Sequence, residues 1–224
     1  MKFKKTIYHI EIADMLRDMI MTGKLKEGDK VKEDDLCSKI GVSKTPLREA
    51  LRVLSVEGLI ELIPNRGAFV TQPEFAEIKE MFDVMVLLEG FCARTACEKM
   101  RPPDFDHLKK LHAKLEQKAE QEDQEGYIEV NNQFHSYVQE LAGNRSLNQI
   151  LGGLRKKILL YRFQSLHAQG RMAESIREHR ELLEVFHQRD HLKVEMLMQI
   201  HLKKQLAALE EQVQNLETAG EALS

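Results

Sequence analysis

Residues 41–51 read GVSKTPLREAL, and few local structures accommodate that string. Gly41 stands where a left-handed residue stops one helix. Ser43 or Thr45 can cap the next, and Pro46 is tolerated in its first turn. From there Leu47, Ala50, Leu51 and Leu54 recur on one helical face, while Lys44, Arg48 and Arg52 follow one another every four residues on a second face. A shorter helix comes before. Glu33, Asp34 and Asp35 lie where a helix N-terminus favours negative charge, and Leu36 and Ile40 are its inward residues. Two short helices joined by a glycine turn make a helix-turn-helix.

The flanks extend the unit. Residues 7–22 predict a first helix with Ile12, Leu16 and Met19 or Ile20 inward, closed by Gly23. After the helix-turn-helix, Leu59 to Ile63 and Ala68 to Val70 are β-prone runs around the turn Pro64-Asn65-Arg66-Gly67. They predict a hairpin, a wing with Arg66 at its tip and Gly67 allowing close backbone approach. Thr71-Gln72-Pro73 reads as a linker, which divides the chain into residues 1–72 and 73–224.

A helix-turn-helix with a basic face and a basic wing is built for DNA. Affinity for DNA comes mostly from neutralised phosphates, and sequence choice from side chains at base edges. Lys44, Arg48 and Arg52 are long enough for either. Ser43 and Thr45 can donate to phosphate oxygens, and Arg66 can enter the adjoining minor groove. The plain alternative is a helical corner whose basic face is merely solvated. Charge gives modest support. The chain carries -3 overall, but residues 1–70 hold 13 Lys and Arg against 11 Asp and Glu, whereas the remainder holds 20 against 25. Three scattered cysteines, Cys37, Cys92 and Cys97, have no metal-knuckle spacing and suit a reducing compartment. No apolar run is long enough for a membrane span, and the N-terminus lacks a signal-peptide pattern, so a cytoplasmic protein is expected.

Beyond Pro73 the β signal vanishes. Six helical segments are expected, at about 74–99, 103–122, 125–142, 145–168, 171–189 and 191–217. The fold class is therefore mainly α: an N-terminal winged helix-turn-helix followed by an antiparallel all-helical bundle of six or seven helices. Leu202, Leu206, Leu209, Val213 and Leu216 form a short heptad seam, which reads either as the last bundle helix packing on its own domain or as a coiled-coil contact. Specific operators are normally bound by two-fold symmetric dimers, so a homodimer is expected.

Three histidines fall where the bundle should place hydrophobes. His135 follows Ile128 and Asn131, His179 follows Met172 and Ile176, and His201 follows Val194 and Met198, each at core spacing. By contrast, His107, His112, His187 and His191 read as lying on charged faces or near helix ends. Each inward histidine alone is an ordinary core residue. Together, from three helices, they would be satisfied by one shared divalent transition metal, and imidazole suits Zn, Ni, Fe or Mn. A metalloenzyme with an open three-histidine site, or a regulator whose body only dimerises, are the competing readings.

Two resemblances sharpen this. Residues 41–70, GVSKTPLREALRVLSVEGLIELIPNRGAFV, are very close to the winged-helix signature of the GntR family of bacterial transcription regulators. The resemblance implies DNA contacts from Lys44, Thr45, Arg48, Arg66 and Gly67. This chain departs from the family at Asp34, where many members have an arginine, and has Lys44 in place of the usual recognition-helix arginine. Residues about 78–205 resemble the FCD ligand-binding domain of the FadR-type branch, through Asn131 to His135, Leu141 to Asn144, Glu178-His179 and Gln199 to Leu202. That resemblance implies a metal held by Asn131, His135, His179 and His201, with Asn131 standing where aspartate is typical, and a small organic acid as effector. The branch often has an arginine four residues before Glu89, where this chain has Met85. Arg162 is expected to replace that arginine as the contact for the effector carboxylate, with Asn131 as a second effector-binding residue.

Overall fold

A computed structural model describes residues 5–71, 74–158, 161 and 170–221. The chain divides into two compact units, Met1–Phe75 and Ala76–Ser224.

The first unit holds α1 (Lys5–Met21), α2 (Glu33–Ile40), α3 (Lys44–Val56), β1 (Ile60–Ile63) and β2 (Gly67–Val70). Leu47, Ala50, Leu51 and Leu54 of α3 are buried against Ile12, Ala13, Leu16 and Ile20 of α1, so Ile20 takes the inward position and Met19 is half-buried. Gly41 ends α2 at φ 71 and ψ 33, a conformation open to glycine without a Cβ penalty. Its N–H closes on the Cys37 carbonyl. Ser43 is the N-cap of α3, in extended conformation, and its hydroxyl makes no capping bond. β1 and β2 pair antiparallel with Ile60 opposite Val70 and Ile63 opposite Gly67. Asp29 and Val31 add backbone bonds to Val70 and Ala68, so the segment after α1 lies along the wing. Arg17 of α1 grips Glu57 at the end of α3 through Nε at 3.0 Å and Nη2 at 2.8 Å.

The second unit is helical throughout its described residues: α4 (Phe75–Lys99), α5 (Pro102–Glu120), α6 (Gln124–Ala142), α7 (Arg145–Lys157), α8 (Arg171–Gln188) and α9 (His191–Glu221). Pro102 and Pro103 open α5, and a left-handed Gly143 closes α6. α5 packs on α6 and α8, and α8 on α9, joined by short turns as an antiparallel bundle requires. The core runs through Ala93, Ala96, Leu108, Phe134, Val138, Leu182, Phe186, Val194 and Met198. Gly90 brings α4 against α9, since a Cβ there would stand 2.7 Å from Gln199 Cγ. Leu202 and Leu209 of the heptad seam are buried within this unit. Among the described residues no helix is long and apolar enough to cross a membrane.

Candidate functional site

Two sites stand out, one in each unit. In the first, helical periodicity turns the apolar stripe of α3 inward and leaves Ser43, Lys44, Thr45, Arg48 and Arg52 exposed, together with Arg66 and Gly67 on the wing. All seven residues expected to meet DNA therefore face solvent. Gly67 has a φ of 107, which only glycine adopts without strain, and Arg66 sits over the Phe69 ring at 5.4 Å. The cations of α3 are not bare. Lys44 Nζ lies 2.7 Å from Asp34 Oδ1, Arg48 Nε 2.8 Å from Glu33 Oε2, and Arg52 Nη1 2.7 Å from Glu49 Oε1. Asp34 thus meets Lys44, and the hydrogen bond raises the ammonium's pKa and keeps it charged.

In the second unit, α6, α8 and α9 carry His135, His179 and His201 to one place. Each is at most 2% exposed, and one ligand nitrogen from each lies within 4.8 Å of the other two. His135 and His201 stack with centroids 5.3 Å apart, and His179 stands edge-on to both at 5.4 and 4.8 Å. Carboxylates hold two of the rings from behind. His135 Nδ1 meets Glu89 Oε2 at 2.8 Å, and His201 Nδ1 meets Glu178 Oε2 at 2.6 Å. A carboxylate at Nδ1 fixes the tautomer that leaves Nε2 as a lone-pair donor, the arrangement of a metal-ligating histidine.

The donor set fits a metal. His135 Nε2, both nitrogens of His179 and Asn131 Oδ1 are buried without a hydrogen-bond partner. Leaving such groups unsatisfied costs about 1–3 kcal/mol each. Asn131 is buried one helical turn before His135 on α6.

The electrostatics keep the three imidazoles neutral. Burial pushes His135 down to about 3, against the opposing pull of Glu89. Burial also lowers His179 well below the usual range, helped by His201 and His135, and lowers His201 although Glu178 opposes it. Burial alone would raise Glu89, but Arg155 and His135 outweigh it and hold the carboxyl far below its ordinary value. Glu178 is likewise held down, to about 2, by His201 and Arg171 against its burial.

Several residues at this centre are not flagged by sequence alone. Arg155 of α7 donates through Nη2 to Glu89 Oε1 at 2.5 Å, so Glu89 bridges Arg155 and His135. With its amide oxygen turned toward Arg155, Gln139 accepts from Nε at 3.0 Å and Nη2 at 3.3 Å. Arg171 forks onto Glu178 with two bonds of 2.8 Å. A charged residue set within an apolar series was the available signal: Glu89 follows Phe82, Met85 and Val86, and Arg155 follows Leu147 and Leu151. Met85 is fully buried, and the cation facing Glu89 comes from α7 instead. Arg162 lies outside the described residues. His112 corrects its sequence assignment: it is buried beside Glu116 rather than solvated, because α8 covers that side of α5. His107, His187 and His191 are exposed as expected.

Comparison with known proteins agrees with both units. Residues 10–70 match the bacterial regulatory proteins of the gntR family, and residues 80–204 match the FCD domain. An uncharacterized HTH-type transcriptional regulator of Bacillus subtilis, YdhC, is 27% identical over 183 residues, covering 81% of each chain. The HTH-type transcriptional regulator McbR of Escherichia coli is 31% identical over 134 residues, 59% of this chain and 60% of McbR. The solved structure of E. coli McbR/YncC superposes with a TM-score of 0.75 at 22% identity, over 92% of this chain and 98% of that one. The family and these relatives are transcriptional regulators and not enzymes, which removes the metalloenzyme reading. With a gntR-type DNA-binding region joined to an FCD domain that spans more than half its length, the chain belongs to the FCD branch of the GntR family of DNA-binding transcription regulators.

Proposed function

We propose that the chain is a ligand-responsive regulator acting as a homodimer on a palindromic operator, with residues 1–72 binding DNA and residues 73–224 binding effector and dimerising. The reading rests on one observation above others: three buried imidazoles converge from three helices, two of them with unsatisfied nitrogens, in a chain whose other unit exposes a cationic recognition helix. His135, His179 and His201, with the Asn131 amide oxygen, would hold a divalent transition metal (Zn, Ni, Fe or Mn). Bound there, a metal would supply a Lewis-acidic position for a carboxylate oxygen. Because Asn131 is neutral where an aspartate is typical, the centre keeps more positive charge and suits an anionic effector.

Arg155 is a further contact for the effector carboxylate beside the expected Arg162. Its Nη1 is buried and without a partner, while the rest of the guanidinium is held by Glu89 and Gln139. A small organic acid would satisfy that donor through a charge-assisted bond. Control of DNA affinity then requires that the acid bind the two states of the dimer unequally.

The test joins elemental analysis, thermal shift and operator retardation. Purified protein should carry about one metal ion per chain, lost in His179→Ala, and added Zn or Ni should raise the melting temperature of metal-stripped protein. A panel of small carboxylic acids should contain one that shifts operator retardation. Metal content and melting unmoved in His135→Ala and His179→Ala would favour a body that only dimerises. Full operator binding by Arg48→Ala would remove the assigned DNA face.

A further inference from the structure

The pairing of Arg48 with Glu33 differs in kind from that of Lys44 with Asp34, and unlike that of Arg52 with Glu49 it crosses from α3 to a neighbouring helix. Lys44 has a single nitrogen, and Asp34 takes it. Arg48 has three, and Glu33 takes only Nε, at 2.8 Å. Among the described residues neither Nη1 nor Nη2 of Arg48 has a protein partner. Arg48 is 60% exposed at its side chain while Glu33 is 22% exposed, so the acid is seated and the cation projects. Glu33 is the first residue of α2, where the helix dipole favours its negative charge, and it lines the groove between α3 and the wing with Arg48, Arg52, Leu62 and Asn65. A long side chain is thus tied at its neck by a carboxylate fixed to the neighbouring helix. Its outer edge, two parallel N–H groups, is left free and oriented.

That edge matches guanine, whose N7 and O6 accept a bidentate fork in the major groove. We propose that Glu33 is a positioning residue that holds Arg48 for bidentate reading of a guanine, and so sets sequence preference without touching DNA. The inference rests on the reading of α3 as the recognition helix. It also separates two kinds of acid on α2. Glu33 orders the fork of Arg48 and leaves its outer edge free, whereas Asp34 occupies the single nitrogen of Lys44. An untied Arg48 would still meet phosphates, but its fork would be spread over many rotamers and would favour no base.

Sites selected from a random DNA library by the full-length protein test this. Wild type should show a guanine at the position whose preference Arg48→Ala erases. Glu33→Ala should lower the preference for guanine there about tenfold, leave other positions unchanged and leave affinity for random DNA undiminished. Glu33→Gln, whose amide oxygen still accepts from Nε, should fall between. Glu33→Ala placed on Arg48→Lys should cost nothing further, since the fork is already gone. Replacing that guanine by 7-deazaguanine should weaken wild type about tenfold and leave Glu33→Ala nearly unaffected. Equal weakening on all DNA with an unchanged site preference, or a base other than guanine at the Arg48 position, overturns the proposal. If wild type enriches no sequence, the reading of α3 falls and the proposal with it. Thermal melts of the variants keep loss of folding apart from loss of reading.

Discussion

His201 Nδ1 lies 2.6 Å from Glu178 Oε2, and that carboxylate is itself forked onto Arg171. Glu89 does the same for His135, with Arg155 behind it. Both rings are therefore oriented by an acid that is oriented by a buried guanidinium, a chain of constraints drawn from five helices. Outer partners of this kind typically tune metal affinity 10–100-fold. Glu178→Gln and Glu89→Gln should accordingly weaken metal binding by about that factor, measured by competition with a chelator of known affinity. Affinity unchanged in both would mean that the carboxylates serve folding alone.

Asp34 faces Lys44 at 2.7 Å, and both are largely exposed. A carboxylate beside a recognition-helix cation opposes phosphate at that point, whatever the base sequence. Asp34→Asn should raise affinity for operator and random DNA alike by a few fold, and steepen the logarithmic dependence on salt by about one unit. Retardation titrations at several salt concentrations read both numbers. A gain confined to operator would show that Asp34 acts on base choice instead.

The elements of both units are visible in local pattern, and the reason is that each is fixed by short-range rules. The wing follows from two β-prone runs about Pro64 to Gly67, and the observed strands are Ile60–Ile63 and Gly67–Val70. The three inward histidines follow from the period of their own helices, and all three are buried in one cluster. What pattern cannot show is the partner of a buried charge. Glu89 and Arg155 are 66 residues apart, and although the apolar series around each marks it as inward, nothing on its own helix names the other as its partner. His112 misleads for the same reason: its neighbours Lys109, Lys110 and Lys114 are polar, yet its own face turns toward the helices that pack on α5.

The Glu89–Arg155 pair makes a specific prediction about stability. Their side chains are 2% and 10% exposed, so removing the guanidinium strands a buried carboxylate. Arg155→Met should destabilise the second unit by about 3–5 kcal/mol. Met85 sits one turn before Glu89 on α4 and is fully buried. Met85→Arg placed on Arg155→Met supplies a cation from α4 in place of the one from α7, and should recover about 2 kcal/mol of the loss. Urea titrations of the two single variants and the double variant measure the coupling. Strict additivity would show that a cation at position 85 does not reach Glu89.

Asp104 gives the bundle an acid-sensitive joint. Its Oδ2 accepts from the Arg101 backbone N–H at 2.9 Å and from Arg101 Nε at 3.2 Å, and its Oδ1 accepts from the Tyr137 hydroxyl at 3.2 Å. These bonds, the backbone N–H first, hold its pKa below the ordinary aspartate value. A folded-state pKa below the unfolded one means the carboxylate's contribution is complete above the unfolded value, about 3.9, and is lost as pH falls through the folded value. Asp104→Asn cannot titrate, so its melting temperature should fall less steeply than that of wild type as pH drops below about 4. At neutral pH the asparagine variant should be the less stable of the two, because a neutral amide at N3 lacks the carboxylate's charge, which the α5 N-terminus and Arg101 favour. Parallel melting curves across that range would show that the α5 cap contributes nothing to acid unfolding, and would leave the remaining buried carboxylates to account for it.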